Sequence, residues 1–184
     1  MYPFKYQRAK SVADAAAVIS NNADAKLLAG GQSLVATLKL RLSRPSDLID
    51  LGSIAELRGI KVEGSAVSIG AMTRHAEVAA SAEVKKAIPA LASLAASIGD
   101  RQVRNMGTLG GSVAHNDPSA DYPAAVLALA ATINTNKRKI AADQFFTGMF
   151  ETALGAGEVI TSVTFPCPTA ADAPRSTAIC WSSS

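Results

Sequence analysis

The sequence predicts an α+β chain of two units, and three observations carry that prediction. Alanine-rich stretches with helical spacing are separated by short β-rich runs, so no single period governs the chain. The order helix, strand, helix, strand of residues 1–55 gives way to hairpins and helices over residues 56–168. A length of 184 residues with 48% hydrophobic and 18% charged composition is enough to bury a real core.

In the first unit, Ser11 followed by Asp14 reads as a helix start, and SVADAAAVISN as the helix, stopped by Asn21 and Asn22. AKLLA (25–29) reads as a short buried strand and GGQS as the turn. LVATLKLRL (34–42) reads as a helix with Leu34, Leu38 and Leu42 as its apolar stripe. Pro45 ends that helix, and DLIDLG (47–52) returns as a strand of the same small α/β unit. A boundary is expected between Ser53 and Arg58.

In the second unit, GIKVEGSAVSIGA (59–71) carries two strands turning at Glu63 and Gly64. Thr73 is the expected cap of a helix reaching Ala80, with Glu77 near its middle. Pro89 opens a helix that Gly99 closes. PSADYPAAVLALAA predicts a turn and a helix, with Pro123 in the first turn, where a missing N–H costs nothing. ATINTNKRKIAA reads as a hairpin around Thr135, Asn136 and Lys137, FFTGMFETAL as a mixed segment, and EVITSVTF (158–165) as the last strand. Residues 169–184 carry no sustained period and read as an atypical, frayed tail.

Composition also narrows the function. The net charge is +3, from 18 basic and 15 acidic residues interspersed along the chain. The basic groups around Lys39, Arg101 and Lys137 come without a base-reading signature or interleaved aromatics, so no nucleic-acid partner is expected. Cys167 and Cys180 form neither a disulfide framework nor a metal-spaced cluster, which fits a reducing compartment. MYPFKYQ lacks the apolar segment of a signal peptide, and no stretch is apolar for the ~20 residues of a spanning helix. The expectation is a cytoplasmic protein.

Two glycine-rich steps carry the chemistry. In LLAGGQSL, Gly30 and Gly31 can take positive φ and leave backbone amides open. If Ser33 or Leu34 starts the next helix, those amides converge on one place, as a bound phosphate requires. For this pair taken alone, an ordinary structural turn is the default reading. Neither the dinucleotide nor the ATP-hydrolysing glycine fingerprint is present. In GTLGGSVAHND, Gly107, Gly110 and Gly111 interrupt residues 106–113 too often for a normal helix or strand, while Thr108 and Ser112 add hydroxyls. Two such loops suit either the two phosphates of a dinucleotide or a pair of tight bends at a domain interface.

Asp121 reads as a helix cap, with Ser119 as its rival, or as a carboxylate for ribose hydroxyls. His75 reads as a surface or capping residue, and His115 as part of the polar loop or a contact to a ring or phosphate. Tyr122, Phe145, Phe146 and Phe150 are expected to pack the core or frame a planar ring. No paired carboxylates, nucleophile with base, or metal-ligand spacing emerges. Chemistry is therefore expected from a bound organic cofactor rather than from catalytic residues or a metal held by this chain.

Taken in order, LLAGGQSL, KLRLSRPSDLIDLG, IGAMTRH, QVRNMGTLGGSVAHNDPSADYPA and GEVITSVTFP resemble the FAD-binding medium subunit of molybdenum hydroxylases, most closely the carbon monoxide dehydrogenase medium-subunit class. The resemblance covers residues 1–168. It implies a two-subdomain FAD-binding fold with FAD extended between the parts. The first family motif falls on Ala29, Gly30, Gly31, Gln32, Ser33 and Leu34, and the second on Thr108, Leu109, Gly110, Gly111 and Ser112. Asp121 matches the family acid near the adenosine, Ile160 lies in the strand approaching the flavin, and Ile98 matches a looser apolar position.

The resemblance further implies a three-part enzyme. A large molybdopterin subunit oxidises the substrate, a small subunit with two 2Fe-2S clusters relays electrons, and the FAD subunit delivers them to an external acceptor. Family members normally continue past the final strand into a small C-terminal domain, most or all of which this sequence lacks. A shortened, non-catalytic FAD-binding or assembly module is the alternative expectation.

Overall fold

A computed structural model describes residues 1–168; the tail expected at 169–184, with Cys180, lies outside the described residues. The chain opens with strand β1 (Lys5–Arg8), helix α1 (Val12–Asn21), β2 (Lys26–Leu28), α2 (Leu34–Lys39) and β3 (Asp47–Asp50), then a single 3-10 turn at Ala55–Leu57. The three strands form an all-parallel sheet in the order β1-β3-β2. The start of α1 follows its sequence signal: Ser11 Oγ accepts from the Asp14 N–H at 3.1 Å, and the Asp14 carboxylate accepts from the Lys10 N–H. Strand β1 has no apolar alternation to announce it, since Lys5, Tyr6 and Arg8 are exposed. Its edge position rests on pairing with β3 and on the contacts of Tyr6 and Arg8 with Asp50.

The second part comprises β4 (Ile60–Glu63), β5 (Ala66–Gly70), α3 (His75–Ala80), α4 (Ala82–Ala87), α5 (Pro89–Ser97), α6 (Arg101–Met106), α7 (Leu109–His115) and α8 (Asp121–Ala128). It closes with β6 (Thr132–Thr135), β7 (Lys139–Ala141), α9 (Ala142–Phe145), the small hairpin β8 (Phe146–Gly148) and β9 (Glu151–Thr152), and β10 (Ile160–Pro166). Its main sheet is antiparallel, in the order β4-β5-β10-β6-β7. Central β10, the last of these strands in the chain, pairs antiparallel with β5 of one hairpin and β6 of the other.

Two apolar clusters form. One joins Ala15, Ile49, Leu51 and Leu57 of the first part. The other joins Val67 and Ile69 of β5 and Val163 and Phe165 of β10 to Leu91, Leu109, Val113, Tyr122 and Val126 from the helices. Burial of each large side chain stabilises by about 1.5–3 kcal/mol. Met72 and Val159, from the second stretch of chain, pack into the first cluster, and the Met72 N–H donates to the Leu57 carbonyl at 2.7 Å.

Several local expectations are corrected. The glycines of residues 107–111 do not exclude a helix: α7 runs through Gly110 and Gly111. Thr108 caps it through the Gly111 N–H at 3.2 Å, and Gly110 lies so close to Ala71 that an added Cβ would stand 2.8 Å from the Ala71 Cα and carbonyl oxygen. Close packing of helix on strand end thus offsets the ~0.5–1 kcal/mol that glycine costs in a helix. Helix α2 stops at Lys39 rather than Leu42. Arg41 turns left-handed (φ 59), with Leu42 N–H donating to Thr37 O and Arg41 N–H to Leu38 O, a Schellman ending. Only Leu38 of the expected stripe is deeply buried, and Leu42 is 75% exposed.

Helix α3 is capped at Arg74, whose N–H donates to the Glu77 carboxylate at 2.7 Å. Thr73 instead bonds Gly59, and Glu77 is the third of the six helical residues, near the middle as expected. Neither Asp121 nor Ser119 caps α8: Asp121 is its first residue and Ala120 its N-cap, without a side-chain bond.

Candidate functional site

The two glycine steps meet. Gly30 follows β2 so closely against the 106–107 backbone that a Cβ added there would lie 2.8 Å from the Gly107 Cα, and one added at Gly111 would lie 3.5 Å from the Ala29 Cβ. Between them opens a cleft of about 680 Å³, within the usual size of a cofactor site.

Its first wall is the loop after β2. Gly31 takes φ 72, which favours glycine. Val35 N–H donates to Gly31 O and Thr37 N–H to Ser33 O, so α2 starts at Leu34. The five preceding N–H groups, from Gly30 to Leu34, donate to no protein acceptor among the described residues, and all five residues line the cleft. Consecutive open amides of this kind receive an anion without a lysine or arginine.

The second wall is built differently. Leu109 N–H donates to Thr73 O (3.0 Å), Gly110 N–H to Ala71 O (2.9 Å), Gly111 N–H to Thr108 Oγ1 (3.2 Å) and Ser112 N–H to Thr108 O (3.1 Å). The amides expected to face a phosphate here are already paired within the protein. What this loop leaves without a protein partner, among the described residues, is the Thr108 N–H and the Ser112 hydroxyl. Thr108, Gly110, Gly111 and Ser112 line the cleft, as do Ala29, Ile98 and Ile160. Two residues do not: Leu109 is fully buried in the second core, and Asp121 lies outside the lining, half-buried at the start of α8.

Other lining residues were not legible as such. His75, expected at the surface, is 4% exposed and lies 5.2 Å from the Tyr122 ring. Burial lowers its pKa from 6.5 to about 4, so the ring is neutral at physiological pH. Its Nδ1 and the Tyr122 hydroxyl have no hydrogen-bond partner among the described residues, and burial raises the Tyr122 pKa well above its usual value. Glu158 also lines the cleft, with a side chain 2% exposed that Arg138 engages at 3.0 and 3.1 Å. Gly155 N–H and the Thr135 hydroxyl add 2.9 and 2.8 Å bonds. Led by the Arg138 hydrogen bond, this environment lowers the Glu158 pKa to about 2. The sequence offered no pattern for either residue, because both depend on partners far along the chain.

No group of three or more His, Cys, Asp or Glu side chains among the described residues could hold a metal ion, and no helix there is long and apolar enough to cross a membrane. The arrangement suits an elongated anion-bearing ligand with an apolar part: open amides at the loops, and Ile98, Val159 and Ile160 along the wall.

Residues 2–168 match the family described as the FAD binding domain in molybdopterin dehydrogenase. The chain is 44% identical over 168 residues to the carbon monoxide dehydrogenase medium chain of Hydrogenophaga pseudoflava, covering 89% of this chain and 58% of that one. It is 40% identical over 172 residues to the glyceraldehyde dehydrogenase medium chain of Sulfolobus acidocaldarius, covering 90% and 61%. Among solved structures, a carbon monoxide dehydrogenase from Hydrogenophaga pseudoflava that lacks the Mo-pyranopterin moiety superposes with a TM-score of 0.89 at 44% identity, over 92% of this chain and 61% of that one. The chain thus spans about three fifths of the length of these relatives.

Proposed function

The chain belongs to the FAD-binding-domain family of molybdopterin dehydrogenases, and on that premise we propose that it is the FAD-binding electron-transfer subunit of a multi-component molybdenum hydroxylase or dehydrogenase. In this reading it works in the cytoplasm, accepts electrons from a small subunit carrying two 2Fe-2S clusters, beside a large molybdopterin subunit, and passes them to an external acceptor. The observation that carries the FAD assignment is the run of five open amides from Gly30 to Leu34, set across a cleft from the Ser112 hydroxyl. A pyrophosphate with its two charges fits that donor set.

FAD, when bound, supplies the one- and two-electron chemistry that joins an iron–sulfur donor to an acceptor. The chain's own residues bind and orient. The amides of Gly30, Gly31, Gln32, Ser33 and Leu34 would hold phosphate oxygens, and Ala29 sets the loop against Gly111. The Thr108 N–H and the Ser112 hydroxyl would donate from the second loop. Leu109 and Gly110 act from behind, anchoring that loop to residues 71–73. Asp121, the acid expected near the adenosine, would act from the start of α8, outside the cleft lining, while Ile98 and Ile160, within the lining, would keep water from the flavin part. His75, held neutral by burial, adds no charge to the cleft lining.

The test is the visible spectrum of the purified chain, with release and identification of any flavin and titration of flavin-free protein with FAD. Stoichiometric FAD supports the cofactor assignment, and a folded chain that takes up none refutes it. Anaerobic mixing with the reduced iron–sulfur subunit should then bleach the bound flavin; an assembled complex with no bleaching refutes the electron-transfer role.

A further inference from the structure

Phe150 differs from the other aromatic residues of its segment. Phe145 is fully buried and meets Phe146 edge-on, with ring centroids 5.1 Å apart. Phe150 belongs to neither core cluster, is 54% exposed, and lines the cleft. Its backbone is left-handed, φ 58, a conformation that a side chain with a Cβ resists. Core burial does not account for a phenylalanine in that position.

What holds it there is Asn116. This residue ends α7 and is itself left-handed (φ 47), which asparagine tolerates better than most residues. Its side-chain Nδ2 donates to Gly148 O at 2.8 Å and to Glu151 O at 2.9 Å, and its carbonyl accepts from the Phe150 N–H at 3.1 Å. One buried residue thereby ties both strands and the tip of the β8–β9 hairpin to the helix that starts at the second glycine loop. The Phe150 ring then lies 5.2 Å from the His115 ring at a 50° tilt, and both residues line the cleft.

We infer that Phe150, backed by His115 and held in place by Asn116, forms a stacking face for a planar ring of the dinucleotide, either the adenine or the isoalloxazine. This rests on the FAD reading above and deepens it. A half-exposed aromatic face beside a cleft gains when a flat heterocycle covers it, because apolar area leaves water and the π systems stack. Phe150 is the ring-contacting residue, and Asn116 is a positioning residue that acts through it.

The experiment titrates flavin-free full chain with FAD, ADP and FMN, following flavin fluorescence and, for ADP, competition with FAD. Wild type is compared with Phe150→Ala, Phe150→Tyr, Asn116→Gly and the Asn116→Gly/Phe150→Ala double variant. Asn116→Gly keeps the left-handed backbone accessible and removes only the side-chain clamp. Phe150→Ala should bind FAD about tenfold more weakly, and Phe150→Tyr should restore affinity. Loss of ADP affinity identifies the adenine as the stacked ring. Loss of FMN affinity, with weaker quenching of flavin fluorescence, identifies the isoalloxazine.

Asn116→Gly should weaken FAD binding too, and the double variant should be no worse than Phe150→Ala alone, as expected of residues acting as one unit. FAD binding by wild type that Phe150→Ala leaves unchanged overturns the stacking face while sparing the FAD reading. Additive losses in the double variant overturn the positioning role of Asn116. Failure of wild type to bind FAD overturns both readings at their common root.

Discussion

Gly30 and Gly107 stand back to back, so near that a single methyl carbon on Gly30 would come within 2.8 Å of the Gly107 Cα. Through that contact the loop after β2 and the loop before α7 share one surface, and the cleft exists because neither carries a side chain at the meeting point.

Gly30→Ala should therefore separate the loops. Backbone cannot rotate aside as a side-chain tip can, so the expected cost in stability is about 1–3 kcal/mol, together with a loss of FAD affinity of at least tenfold. Gly59→Ala is the control: its φ of 101 is unsuited to alanine, unlike the backbone of Gly30, but nothing lies within 4 Å of an added Cβ. It should lower the melting temperature without selective loss of FAD. Thermal unfolding and FAD titration of the two variants separate strain from contact.

The second loop divides its hydroxyls between fold and ligand. Thr108→Ala removes the acceptor of the Gly111 N–H and should destabilise the chain by about 1 kcal/mol, the usual cost of a lost N-cap. Ser112→Ala removes a hydroxyl with no protein partner among the described residues and should leave the melting temperature unchanged while weakening FAD about five- to tenfold. Equal effects of both changes on stability would count against this division.

Acid should act in two steps. The His75 pKa is lowered in the fold, to about 4, so its contribution is complete above the ordinary value near 6.5 and disappears as pH falls from there toward 4. The Glu158 pKa is lowered to about 2, so its contribution is complete above about 4.5 and disappears between there and 2. Glu158→Gln should abolish the lower step and cost about 1–3 kcal/mol at neutral pH, because Arg138, Gly155 and Thr135 lose an ionised acceptor. Urea unfolding at intervals from pH 8 to 3 checks both the order and the assignment of the steps.

Tyr122→Phe should be neutral or stabilise the chain by up to about 1 kcal/mol. The hydroxyl it removes is fully buried without a partner among the described residues, and removing such a group ends a desolvation cost while the ring keeps its packing. A marked loss of stability would point to an ordered water between the hydroxyl and His75 Nδ1.

Much of this molecule can be read from local sequence, because the signals concerned act within a few residues. Ser11 with Asp14 starts α1, the alternation of Val67, Ile69, Val163 and Phe165 marks sheet interior, and the turn at residues 136–138 joins β6 to β7. The glycine pairs announce loops through their conformational freedom, and their ordered spacing with Asp121 marks the family. Length and pattern thus determine a mixed helix-and-strand fold and the glycine segments that bound a cleft.

Tertiary structure decided the rest, wherever a group's state depends on a partner distant in the chain. Gly110 sits in a helix because Ala71 presses against it, His75 is neutral because Tyr122 and the second core exclude water from it, and β1 is a strand only beside β3. The same dependence separates the two glycine loops. Both look alike in sequence, yet Thr73 and Ala71 consume amides of the second loop while those of the first stay open. A hydrogen-bond donor is free or spent according to what the fold brings within about 3 Å of it, and no local pattern records that.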